Sequence, residues 1–125
     1  MNRCYVLFGL LSASCLALGC EPDLERVNIT QATTPPLAVV VTGTRIEVPE
    51  GIAVAVDVVG INDEGDEEPD IDVPLIYSAA LGVISTAVQG RFIFYGSEIG
   101  SGTVPFTALG TNGQVDVPFT VTAQP

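Results

Sequence analysis

Gly102-Thr103-Val104-Pro105-Phe106-Thr107-Ala108-Leu109 and Gln114-Val115-Asp116-Val117-Pro118-Phe119-Thr120-Val121-Thr122-Ala123 stand on either side of Asn112-Gly113. In the second run Val115, Val117, Phe119 and Val121 alternate with Gln114, Asp116, Thr120 and Thr122, a period of two that puts one set on each face of a strand. Val104-Pro105-Phe106-Thr107 recurs as Val117-Pro118-Phe119-Thr120, as two strands of one hairpin would if they met the same packing need. Asn-Gly takes up the positive φ angles of a tight turn. The pair is therefore expected to join two antiparallel strands with Phe106 and Phe119 on the buried face.

The same period runs back from this hairpin to Leu37. Leu37 to Val41 and Arg45 to Val48 read as one strand bent at Gly43. Ile52, Val54, Val56 and Val58 form one face of another, with Ala53, Ala55 and Asp57 opposite. Val73 to Ser78, Val83 to Ala87 and Arg91 to Tyr95 are three further runs, and Gly, Pro, Asn and Asp fill the gaps between them. No window carries a helical stripe. About seven short strands joined by turns predict an all-β fold, an antiparallel two-sheet sandwich. Val-Pro pairs at 48–49, 73–74, 104–105 and 117–118 put prolines at edges, bulges or strand starts, because proline donates no ladder hydrogen bond.

From Leu37 to Ala123 the chain resembles the bacterial Ig-like domains of invasin- and intimin-type surface proteins. Tyr77-Ser78 stands where those domains commonly have Trp-Ser, Val83 to Ala87 matches the small hydrophobic strand that follows, and Gly90 matches the glycine after it. Gly102-Thr103-Val104-Pro105-Phe106-Thr107-Ala108 is similar to their Gly-Thr-x-x-Ile-Thr-Ala strand. The resemblance implies an Ig-like β-sandwich over residues 37–125 and a role in binding or display at a cell surface. Other Ig-like or fibronectin-type modules fit the same strand pattern.

The N-terminus reads as an address. Met1-Asn2-Arg3 precedes a run from Cys4 to Gly19 that is apolar or small throughout, the form of an export signal. As a helix this run would span about 24 Å, short of the ~30 Å hydrocarbon core. Leu16-Ala17-Leu18-Gly19-Cys20 resembles the lipobox of bacterial lipoprotein precursors, which implies a signal peptide over residues 1–19 and lipidation at Cys20. Ordinary cleavage near Gly19 would instead leave a free thiol on a secreted protein. Cys4 and Cys15 would leave with the signal, so no intramolecular disulfide could form in the mature chain. Three acyl chains on Cys20 would make the membrane a stable partner where one chain is marginal. Glu21, in place of an aspartate after the cysteine, favours the outer membrane over the inner. Residues 20–36, polar and closed by Pro35-Pro36, read as the lipidated N-terminus and a flexible tether.

The chain has 125 residues, a formal charge of −11, 47% hydrophobic residues and four arginines as its only basic groups. Nucleic acid is a poor partner for such a chain, because it rewards Lys and Arg clusters. Catalysis is short of parts: there is no histidine and no lysine, hence no imidazole base or Schiff-base amine. An envelope hydrolase would have to work with carboxylates, hydroxyls and arginine. No cofactor is expected.

The one unusual cluster is Asn62-Asp63-Glu64-Gly65-Asp66-Glu67-Glu68-Pro69-Asp70-Ile71-Asp72, with seven carboxylates in eleven residues. Calcium takes six to eight oxygens from loops of this chemistry, which makes Asp63, Asp66, Glu68 and Asp70 candidate ligands. The spacing departs from an EF-hand, and a solvated loop that keeps the sandwich soluble accounts for the same residues. The sequence thus leads to a lipid-anchored cell-envelope Ig-like module with a noncatalytic structural or protein-binding role. A calcium-dependent adhesion module is its alternative, and the partner would be an envelope protein or surface ligand.

Overall fold

The computed structural model describes residues 21–73 and 80–125. Its strands, in chain order, are β1 (Leu24–Gln31), β2 (Val40–Val41), β3 (Ile46–Pro49), β4 (Ala53–Asn62), β5 (Glu67–Glu68), β6 (Ile71–Asp72), β7 (Leu81–Ser85), β8 (Arg91–Gly96), β9 (Gly100–Ala108) and β10 (Val115–Thr122). One sheet runs β1-β4-β8-β7 with β5 added beside β4, and the other runs β2-β3-β10-β9-β6. This is the A-B-E-D against C-F-G division of an immunoglobulin constant-type sandwich, with β3 lying beside the last strand. The fold is the all-β Ig-like sandwich expected from the hydrophobic period.

Alternation builds the core. Val54, Val56 and Val58 point inward from β4, and Val117, Phe119 and Val121 from β10. Phe94, Phe106 and Phe119 are the largest fully enclosed side chains, so Phe106 and Phe119 lie on the buried face as their spacing predicted. Pro105 faces Asp116 and Pro118 faces Thr103, pairs of the same parity in one ladder. Alternate antiparallel pairs exchange no hydrogen bonds, so both prolines fit where their missing donors would point out of the hairpin. Outward of Pro118 the β3 ladder begins at Phe119, and outward of Pro105 the β6 ladder stops at Thr107.

Three expectations are corrected. Residues 24–31, read as part of the tether, form β1 and pair with β4 from Leu24↔Asn62 to Gln31↔Val56. A register shift between Leu24 and Arg26 turns Glu25 and Arg26 both outward while Leu24 and Val27 are buried. That bulge breaks the period of two and hides the strand in the sequence. The stitching continues past β1, where the Ala55 amide donates to Thr33 Oγ1 at 3.0 Å and the Ala32 amide to the Ala55 carbonyl at 2.8 Å.

The second correction is that the sandwich is not wholly antiparallel. β3 pairs parallel with β10, Ile46 against Phe119. After β1 the chain crosses from one sheet to the other, and β3 arrives beside the C-terminal strand running the same way. The single bent strand expected around Gly43 is instead a hairpin: β2 and β3 pair antiparallel, Val40 against Glu47 and Val41 against Ile46, with the turn closed by the Thr42 amide on the Arg45 carbonyl at 2.9 Å. A Cβ at Gly43 would lie 2.0 Å from the Val27 carbonyl oxygen, so this turn rests on the β1 backbone in a way only glycine allows.

The third correction concerns Asn112-Gly113. β9 and β10 do form the hairpin, but Gly110 and Gly113 carry its positive φ angles and Asn112 does not. Asn112 instead holds the start of β1. Its amide donates to the Pro22 carbonyl at 2.9 Å, and its carbonyl accepts from Leu24 at 2.9 Å.

Candidate functional site

The acidic stretch is an ordered hairpin turn between β4 and β5, organised by Asn62. Asn62 is 2% exposed. Its Oδ1 accepts from the backbone amides of Glu64 and Asp66 at 2.8 and 3.0 Å, and its Nδ2 donates to Glu68 Oε2 at 2.7 Å. This is an Asx-type turn, completed by Gly65 at φ 88°. Asn62 ahead of Asp63-Glu64-Gly65 is the sequence signal for such a turn.

The structure spreads the candidate ligands apart. Among the described residues no three Asp, Glu, Cys or His side chains are grouped to hold a metal ion. Asp66 and Asp70 are exposed, and Glu68 is occupied by Asn62. Asp63 Oδ1 is enclosed without a hydrogen-bond partner, one oxygen where calcium requires six to eight. The arrangement is that of a polar turn whose backbone is satisfied by Asn62 and whose carboxylates mostly face water. Cys20 and Tyr77-Ser78 lie outside the described residues, as does the predicted run beyond Val73.

The turn belongs to a larger acidic pole. Segments 21–25 and 63–72 hold ten of the chain's 15 carboxylates, and they meet where the Asp63 amide donates to the Asp23 carbonyl at 2.9 Å. The β9–β10 loop joins them: Asn112 Nδ2 donates to the Glu21 carbonyl at 3.0 Å and the Leu109 amide to the Asp70 carbonyl at 3.0 Å. Leu109 stands out of this pole with 75% of its surface exposed.

On the outer face of the first sheet, Arg91 on β8 faces Asp57 on β4. Its Nε and Nη2 donate to the two carboxylate oxygens at 2.8 and 2.9 Å. The hydrogen bonds between the two side chains hold the Asp57 carboxyl below its ordinary range and Arg91 above its own. Sequence reading missed the pair because only the β4–β8 register brings the two residues together. An open depression of about 380 Å³ beside Asp57, walled in part by Asn28, Thr30 and Gln89, offers no other ionisable group. A second, of about 420 Å³, lies between Asp70, Asp72 and Leu109 at the acidic pole. The first also takes in the Thr30 hydroxyl, and the second that of Thr107, whose Oγ1 donates to the Asp72 backbone carbonyl at 3.4 Å.

No protein-family model matches the chain, and no curated protein matches it. Among solved structures it is similar to the surface layer protein SbsC, domains 4–9, at a TM-score of 0.53 and 21% identity, over 83% of this chain and 15% of that one. The structure of SbsC domains 4 and 5 matches at a TM-score of 0.48 and 19% identity, over 74% of this chain and 55% of that one. The chain thus spans a minor part of the first and about half of the second. The likeness at a TM-score of 0.53 is one of fold.

Proposed function

We propose that the protein is a lipid-anchored cell-envelope module whose Ig-like sandwich has a noncatalytic structural or protein-binding role. The observation that carries this reading is the way the side chains are spent. The interior is closed by Phe94, Phe106, Phe119 and the valines around them. At the two depressions the charged groups are carboxylates, Asp57 paired with Arg91 and Asp70 and Asp72 exposed to water. A fold shared with domains of a surface-layer protein supports a structural role at the cell surface. The Gly19-Cys20 junction and Glu21 support lipid anchoring, at the outer membrane where the cell has one.

The test is fractionation of cells producing the wild type and Cys20→Ser. The wild type is expected with the membranes, extractable by detergent, and the variant is expected to leave that fraction. Equal recovery of both in the soluble fraction would refute the anchor. Cross-linked pull-down from the native envelope would then name the protein it binds.

A further inference from the structure

We propose that Asn112-Gly113 is a self-modification site, at which Asn112 deamidates through a cyclic imide and so cuts the clamp that holds the start of β1. The proposal stands apart from the lipid-anchored reading, since it needs only the sandwich itself. Such a cyclisation requires a carboxamide free to turn and, after it, a backbone nitrogen that is uncrowded and unengaged. Glycine supplies the least crowded one, having no side chain beside it. Asn112 and Gly113 are both exposed, and a Cβ on Gly113 would meet nothing within 4 Å. Among the described residues the Gly113 amide donates no hydrogen bond, whereas the amides of Thr111 and Asn112 just before it donate to Ala108 and Pro22. The Asn112 carboxamide is tied only by its Nδ2 bond to the Glu21 carbonyl at 3.0 Å, an exposed bond whose opening slows the reaction about fivefold.

The other asparagines of the described chain lack this combination. Asn62 is 2% exposed, with both ends of its carboxamide bonded within the β4–β5 turn. Asn28 lies inside β1 and precedes Ile29, whose branched and stiff side chain crowds the nitrogen that would attack. At Asn112 the Gly113 nitrogen bonds to Cγ and gives its proton to solvent, while Nδ2 takes a proton and leaves as ammonia. Water then adds to either imide carbonyl and breaks its bond to that nitrogen, giving aspartate or isoaspartate.

What is lost follows from what the amide holds. Asn112 joins the β9–β10 loop to Glu21, Pro22 and Leu24. A carboxylate has no donor for the Glu21 carbonyl, so two acceptors face each other there. The isoaspartyl form also adds a carbon to the main chain before Gly113, beside the Asp23–Asn112 bridge. Water does not restore the amide, and the change therefore runs one way. The N-terminal segment comes free of the loop as the protein ages, while β1 stays paired with β4.

The full-length protein is kept folded in heavy-oxygen water at mildly alkaline pH beside a guanidinium-unfolded sample, and both are digested and mapped by mass spectrometry. Residue 112 is expected to convert in the folded protein within about tenfold of its unfolded rate, with Asn28 and Asn62 keeping their amides. Asn112→Gln, which closes the larger imide ring poorly, is expected to stay intact. Hydrogen exchange at the backbone amides of Leu24 and residue 112 is expected to quicken in the converted protein and in Asn112→Asp, with the β4 amides still protected. An Asn112 that stays intact in the folded protein while the unfolded chain converts would overturn the site, and conversion as fast at Asn28 or Asn62 would overturn its assignment to this pair. Unchanged exchange at Leu24 in Asn112→Asp would overturn the clamp, and lost protection throughout β4 would overturn the claim that only the entry is released.

Discussion

The side-chain amide of Asn112 donates to the backbone carbonyl of Glu21 at 3.0 Å, across 91 residues of sequence. The bond joins the loop before the last strand to the residue ahead of the first, so the N-terminal segment enters the sandwich at a fixed place. From there β1 runs along β4 from Asn62 to Val56, held by backbone pairing and by two buried side chains, Leu24 and Val27.

If β1 is integral to the sandwich, Val27→Ala should lower stability by on the order of 2 kcal/mol. Two buried methyl groups are worth about 0.8 kcal/mol each, and the cavity adds to this. Asn28→Ala, on the exposed side of the same strand, should stay within about 0.5 kcal/mol. Chemical denaturation of the two variants separates a strand from a tether, which would leave both unchanged.

Truncating Phe106 or Phe119 to alanine should each cost about 3–5 kcal/mol, a large share of a small domain's stability. Both rings are enclosed by the two sheets. Thermal melting close to the wild type for either variant would mean that the face is misassigned.

These two positions were legible in the sequence, and Val27 was not, for one physical reason. A period of two is read where the backbone keeps its pleat, as in β4 and β10. The bulge between Leu24 and Arg26 turns two polar residues outward in succession and erases the signal. Long-range relations are equally silent: nothing local tells that β3 will lie parallel to β10, or that Asp57 will face Arg91. At the acidic turn the chemistry was legible and the geometry was not, because seven carboxylates suggest a cation as readily as they suggest water. Asn62 settled the backbone of that turn through hydrogen bonds that no spacing rule foretells.

The Asp57–Arg91 pair sets a pH dependence. The Asp57 carboxyl titrates lower in the folded chain than in the unfolded one, chiefly through its hydrogen bond to Arg91. A depressed carboxylate pKa gives stability that is present above the unfolded value of about 3.9 and is lost as pH falls through the folded value. The wild type should therefore be more stable than Asp57→Asn at neutral pH, and the difference should close on acidification below pH ~3.9. With the side chains of Arg91 and Asp57 40% and 47% exposed, the effect should be modest and should shrink in salt. Melts of both proteins across pH and salt check the sign.

At the β4–β5 turn, Asn62→Ala should cost about 1–3 kcal/mol, since it removes the side-chain hydrogen bonds to the Glu64 and Asp66 amides and to Glu68. Asp66→Asn and Asp70→Asn, both at exposed positions, should cost nothing or relieve repulsion. Calcium should raise the melting temperature no more than magnesium, or than sodium chloride of matched ionic strength. A calcium-specific rise of several degrees, abolished by replacing Asp66, Glu68 and Asp70 with Asn, Gln and Asn, would restore the turn as a cation site.

The measurement closest to the centre of the account is the mass of the mature N-terminal peptide, taken from protein extracted from the native membrane. The account predicts a chain beginning at Cys20 and carrying thioether- and amide-linked acyl groups, with the same peptide absent from cells producing Cys20→Ser. A mature chain beginning at an unmodified Glu21, or at Cys20 with a free thiol, would contradict it.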